Sequence, residues 1–202
     1  MSIQHHRHES NDHTKLILLS FPEQFQTERL TIRAPQWGDG ATVNEAIRES
    51  VNELRPWLPF ARNLPTLEES EIRSREARLQ FLERSNMMLY VFDTASGEFV
   101  ASSGLHRIDW DTRRFEIGYW LRTSWTGKGI ITEAVHGITD FAIQHLEANR
   151  LEIRCDSKNT RSAKVAERAG FTLEGILRNV EYDEEGKWAH QMVFAKVRGI
   201  EF

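Results

Sequence analysis

Apolar residues recur along this chain with two periods, and the switches between them mark out its elements. In "TERLTIRAP", Leu30 and Ile32 alternate with polar neighbours up to Pro35, as in a half-buried strand. Asp39 then stands as a helix N-cap ahead of Val43, Ile47, Val51 and Leu54, which recur at helical spacing. Prolines interrupt the next segment, "LRPWLPFARNLP", which reads as a turn whose rings, Trp57 and Phe60, pack or line a site. Thr66 and Glu69 form a capping box for a second helix, with periodic residues Ile72, Leu79 and Leu82 and an end near Asn86. The stretches "MMLYVFD", "EFVASSGLHRID" and "RRFEIGYWL" are rich in β-branched and aromatic residues and predict a three-strand antiparallel meander. Beyond "TGKG", Ile131, Ala134, Val135, Ile138, Phe141 and Ala142 form the apolar stripe of a long helix. "LEIRC" predicts a short strand, "TRSAKVAERAG" a helix stopped at Gly170, and the remaining text two strands meeting at Glu185-Gly186. The order β-α-α-β-β-β-α-β-α-β-β is that of a mixed sheet flanked by helices, an α/β (α+β) class without doubly wound alternation.

Composition narrows the setting. A chain of 202 residues suits one domain, placed at 21–202, behind a polar, His-rich segment at 1–20 that reads as a disordered tail. His5, His6, His8 and His13 in that tail have no second shell to orient them, and His106, His136 and His190 share no ligand spacing, so no metal site is expected. A net charge of -4 offers no general attraction to nucleic acid or anionic lipid. The single cysteine, Cys155, excludes an intrachain disulfide and reads as a buried strand residue in a reducing cytoplasm. No apolar run approaches the ~20 residues of a membrane span, so a soluble cytoplasmic protein is expected. Trp57, Trp110, Trp120 and Trp125 read as core or loop packing.

The segment "YWLRTSWTGKGIITEAV", residues 119–135, carries the most chemical information. A strand runs into a loop with Gly127 and Gly129, and the loop opens directly into a helix. Glycines let a ligand approach the backbone, and a helix start offers unpaired N–H groups at the positive end of its dipole. Lys128 adds a mobile positive charge. The same text also serves as an ordinary tight strand-to-helix turn. It is neither a Walker A loop nor a G-x-G-x-x-G motif.

Ser124-Trp125-Thr126-Gly127-Lys128-Gly129 is similar to the Q/R-x-x-G-x-G/A loop of the GNAT superfamily of N-acetyltransferases. Asn159 to Phe171, "NTRSAKVAERAGF", resembles that superfamily's N-x-x-S-x-x-(apolar)-x-x-x-x-G-F segment and follows in the right order. "QTERLTIR" and Leu54–Pro59 resemble the RimL/RimJ branch, which acetylates protein N-terminal amines. Ser124 replaces the usual Gln or Arg, at the cost of one side-chain contact, and leaves the backbone cradle intact.

The resemblance, over roughly residues 25–198, implies the GNAT fold: a central, mostly antiparallel mixed sheet of about seven strands flanked by about four helices. It implies acetyl-CoA as cosubstrate. The splayed end of the strand, near Tyr119 to Arg122, would pair with the pantetheine arm and offer a backbone N–H to the thioester carbonyl, with Trp120, Leu121 and Arg122 as cofactor contacts. Thr126, Gly127, Lys128, Gly129 and Ile130 would hold the diphosphate, and Asn159 the arm. Ser162 would protonate the leaving thiolate, and Glu181 would be the base for the amine, with Glu116 as competitor. Taken alone, Ser162 is an exposed residue in a helix's first turn, and either carboxylate suits a salt bridge. The acceptor the resemblance implies is a protein N-terminus, such as that of a ribosomal protein. An α-amine, with an unperturbed pKa of about 7.7–8.0, needs less help to lose its proton than lysine at about 10.4. A small amine (polyamine, amino acid or aminoglycoside) and a non-catalytic acyl-CoA-binding module are the alternatives. The branch further implies a homodimer.

Overall fold

The computed structural model describes residues 15–202, so the reading of the His-rich tail falls outside the described residues for 1–14. Nearby, the Leu19 carbonyl accepts a hydrogen bond from Arg84. The strands are β1 (Gln24–Gln26), β2 (Leu30–Arg33), β3 (Met87–Asp93), β4 (Phe99–Asp109), β5 (Arg114–Leu121), β6 (Arg150–Asp156), β7 (Thr172–Tyr182) and β8 (Trp188–Val197). The helices are α1 (Gly40–Leu54), α2 (Leu67–Glu83), α3 (Ile130–His145) and α4 (Thr160–Arg168). One eight-stranded sheet runs β1-β2-β3-β4-β5-β6-β8-β7. Only β5 and β6 pair in parallel. The strand beyond the expected number is β1, whose three residues are too few to show a period. None of the described helices is long and apolar enough to cross a membrane.

Each sheet face has its own core. On one, Phe115 and Ile117 of β5 and Leu151 and Ile153 of β6 pack with Ile131, Ala134 and Ile138 of α3 and with Ala163 and Ala166 of α4. On the other, Val43, Ala46 and Ile47 of α1 pack against Tyr90 and Phe99, with Trp120 at the edge.

Two readings of the first helical pair are corrected. Asp39 does not cap α1: its own backbone is helical and its side chain makes no cap bond. Its carboxylate is taken by Arg33 and the Gln36 amide. The cap comes instead from Glu71 of α2, which accepts from the Gly38 and Gly40 amides at 2.8 and 2.9 Å. A Cβ at Gly40 would lie 2.3 Å from the Glu71 Cα, so glycine permits this approach. The second correction concerns α2, where the predicted stripe of Ile72, Leu79 and Leu82 is exposed, and Ser70, Ser74, Ala77 and Phe81 are buried. The buried hydroxyls have partners: Ser74 Oγ lies 2.8 Å from the Tyr90 hydroxyl and Ser70 Oγ accepts from Asn44 Nδ2. Small residues let α2 sit close, which the apolar period did not reveal. The Thr66–Glu69 capping box forms as read, and the helix closes at Glu83, with Arg84 left-handed.

Candidate active site

The parallel pairing of β5 with β6 stops after Arg114↔Arg150, Phe115↔Leu151 and Glu116↔Glu152. Beyond it β5 stays with β4 up to Ala101↔Leu121, and β6 stays with β8 up to Asp156↔Gln191, so the two strands part and a wedge opens. The Arg122 amide donates to the Val100 carbonyl at 2.8 Å. By antiparallel alternation the amides of Trp120 and Gly118 also face β4, and those of Tyr119 and Leu121 face the wedge. Within the expected stretch, Leu121 and Tyr119 are therefore the backbone donors to the cleft, rather than Trp120 and Arg122. The Trp120 ring packs near Phe99 and Phe60. The Arg122 guanidinium is spent on Glu45, Glu49 and Glu98 at 2.6, 2.5 and 3.1 Å, which anchors the end of β5 to α1 and to the turn just before β4.

The loop after β5 is held from α1 as well, since the Ser124 amide donates to Glu49. Thr126 turns its hydroxyl back to the Thr123 carbonyl. Gly127 and Gly129 both have φ of 77°. Nothing lies within 4 Å of a Cβ at Gly127, so conformation and open approach, not crowding, favour glycine there. Gly129 begins α3 with no side-chain cap, leaving first-turn amides for an anion. Lys128 Nζ rests over the Trp125 ring, and Ile130 is buried, pinning the helix start to the core. Gly127→Ala is expected to cost only about 1 kcal/mol in stability. By disturbing the amide cradle it should raise the acetyl-CoA KM roughly tenfold. Thermal unfolding and steady-state kinetics on one preparation check this; an unchanged KM would remove the loop from binding.

Across the wedge, Asn159 caps α4 by accepting from the Ser162 amide at 3.1 Å. The Tyr119 hydroxyl lies 3.0 Å from Ser162 Oγ and donates to the Ser162 carbonyl at 3.1 Å. Burial pushes the Tyr119 phenol well above its ordinary range, and its contact with Ser162 offsets this only in part, so it stays a neutral donor. The Cys155 thiol, raised by burial, also meets the Ser162 side chain. Sequence reasoning took Tyr119 only as backbone. The available signal was its place in the alternation Phe115, Ile117, Tyr119, Leu121, which turns its ring to the α3–α4 face.

The opposite face carries a polar row across the strands. His106 Nδ1 lies 2.7 Å from Asn86 Oδ1, and burial, aided by Arg107, lowers the imidazole to about 4, keeping it neutral. His106 is in register with Glu116, and Glu116 with Glu152. Burial raises the Glu116 carboxyl despite Arg107 at 3.3 Å and Arg154 at 3.4 Å, and its buried Oε2 makes no hydrogen bond. Glu152 is bracketed by Arg150 and Arg154 at 2.6 and 2.8 Å. Alternation along β8 carries this face from Ala195, opposite Glu152, to Ala189, opposite Glu181. Glu181 is exposed and makes no ion pair among the described residues. It thus shares a sheet face with Glu116 but stands on the outermost strand, at the open end of the wedge, while Glu116 lies at the vertex.

Residues 29–172 match the family described as Acetyltransferase (GNAT) domain. The chain belongs to the GNAT acetyltransferase family. YdaF of Bacillus subtilis is 35% identical over 161 residues, spanning 77% of this chain and 84% of YdaF. The ribosomal-protein-serine acetyltransferase of Escherichia coli is 32% identical over 135 residues, 63% of this chain and 73% of that protein. A solved structure of RimL, a ribosomal L7/L12 alpha-N-protein acetyltransferase in complex with coenzyme A, superposes with a TM-score of 0.81 at 22% identity. That superposition covers 87% of this chain and 98% of RimL, and it carries the fold. The protein is an N-acetyltransferase of RimL-like type, with acetyl-CoA as cosubstrate. Its residues suit that molecule: the wedge is faced by the Tyr119 and Leu121 amides, which suit a carbonyl, and the open Gly127 loop leads into a helix start without a side-chain cap, which suits a diphosphate.

Proposed function

We propose that this acetyltransferase acts on the N-terminal α-amine of a protein, a ribosomal protein foremost. The observation that carries the reading is the similarity to the E. coli ribosomal-protein-serine acetyltransferase, joined to a wedge whose acceptor side opens at an exposed edge strand that a polypeptide end can reach. The cosubstrate supplies an acetyl group activated as a thioester. The amides of Tyr119 and Leu121 receive the charge that develops on the carbonyl oxygen. Glu181 takes the proton of the ammonium, so that the nitrogen lone pair can attack. As the C–N bond forms and the C–S bond breaks, Ser162 gives its proton to the departing sulfur, directly or through water; the second proton, shed by the nitrogen as it becomes an amide, returns to Ser162 through water, while the neutral Tyr119 hydroxyl holds the Ser162 side chain in place. Asn159 holds the Ser162 turn in place.

One observation favours a second base. Glu116 is the carboxyl in this region whose affinity for protons is raised by burial, as a general base near neutrality requires. Its two arginine neighbours suit it equally to bracing the sheet, and it lies deeper in the wedge than the Tyr119 and Leu121 donors.

A thiol-release assay with acetyl-CoA and a panel of Ser- and Ala-initiated peptides, free lysine, spermidine and kanamycin tests the acceptor. Release with the peptides alone is expected. Release with a small amine alone would transfer the enzyme to the small-molecule class, and silence across the panel with intact acetyl-CoA binding would favour a binding module.

A further inference from the structure

Glu133 sits in the first turn of α3, where its charge opposes an anion bound at the same amides. The chain surrounds that carboxylate with donors from the strap between β1 and β2. Oε1 accepts from the Thr27 hydroxyl at 2.6 Å and the Arg29 amide at 2.8 Å. Oε2 accepts from Arg29 Nε at 2.7 Å and lies 2.6 Å from Nη2. Burial alone would raise this carboxyl, but the bonds from Thr27 and Arg29 outweigh it and hold it below the usual range. The same guanidinium reaches the phosphate loop: Arg29 Nη1 donates to the Lys128 carbonyl at 3.1 Å, and Nη2 lies 3.7 Å from where a Cβ would stand on Gly129. The strap comes this close because α3 has a glycine beneath it; a Cβ at Gly137 would meet Thr27 Cγ2 at 2.6 Å.

We infer that Thr27 and Arg29 form a latch that fixes the loop Thr126–Gly129 against α3 and cancels the charge of Glu133, making Arg29 and Glu133 positioning residues for the diphosphate of CoA. The inference rests on acetyl-CoA as cosubstrate. It gives "TERL" a chemical role and explains why an acid is tolerated beside an anion site.

Calorimetric binding of CoA, with competition by pantetheine, which lacks the diphosphate, tests the latch. Arg29→Met keeps the stem and removes every side-chain donor while leaving the backbone amide on Glu133; its CoA Kd is expected to rise about tenfold, while pantetheine affinity changes less than about twofold. Adding Glu133→Gln to Arg29→Met should recover part of that loss, because the uncancelled carboxylate is then gone. Equal weakening toward CoA and pantetheine, or a double variant no better than Arg29→Met, would overturn the proposal. Arg29→Lys, read in the same way with its unfolding temperature recorded, is expected to fall between wild type and Arg29→Met, since it keeps charge but cannot bridge Glu133 and Lys128 together. A wild-type protein that fails to bind CoA would instead strike at the cosubstrate assignment.

Discussion

Glu181→Gln is expected to lower kcat about 10²–10³-fold while leaving CoA affinity within a factor of about two. The amide keeps the shape of the side chain and removes its ability to take a proton. Because Glu181 is exposed at the outer strand and makes no ion pair among the described residues, the change should cost little stability. Stopped-flow or steady-state turnover with the best acceptor, next to calorimetry with CoA, separates the two effects. Near-normal kcat would remove Glu181 from the chemistry. The companion variant Glu116→Gln then decides: if Glu116 is the base, turnover collapses there. The sign of the pH effect follows from its raised proton affinity, since a base must be ionised to act. In that case kcat/KM of the wild type falls as pH drops through a value above the ordinary carboxylate range. If Glu116 serves only to brace Arg107 and Arg154, its substitution lowers the unfolding temperature and spares the pH profile.

The largest loss of stability is expected from Gly104→Ala, at about 3–5 kcal/mol. Gly104 has φ of 147°, in the region L side chains avoid. A Cβ there would stand 2.4 Å from the Met87 carbonyl oxygen, 2.8 Å from the Met88 Cα and 3.1 Å from the Leu89 amide. All three are backbone atoms of β3, so no rotamer change relieves the clash, and the sheet itself must shift. For a chain of this length the unfolding temperature should fall by roughly 10 °C, readable by calorimetry. Gly186→Ala is the control: φ is 75° with nothing within 4 Å, so only the conformational cost of about 1 kcal/mol remains. Equal small shifts in both would mean that β3 and β4 are not packed this closely.

Much of this molecule was legible in one dimension, and the reason lies in the range of the interactions. The meander β3–β5, the stripe of α3, the Gly170 and Gly186 stops and the Thr66 capping box depend on neighbours in sequence, so alternation, helical spacing and turn residues determined them. The glycine loop ahead of α3 was visible for the same reason. What the sequence left undetermined depends on partners far along the chain. The α1 cap is Glu71 rather than Asp39, and α2 buries serines rather than Ile72, Leu79 and Leu82, because each is settled by how closely the two helices approach. The resemblance implied a backbone donor somewhere in residues 119–122, but only the parting of β5 from β6 determined that the Tyr119 and Leu121 amides face the wedge. The Tyr119–Ser162 contact and the hold of Thr27 and Arg29 on Glu133 join residues 43 and more than 100 positions apart, and no local period records them. Local periodicity and turn residues thus determined the elements and the glycine loop; tertiary packing decided which side chains meet across the wedge, because that meeting depends on distances the chain acquires only once folded.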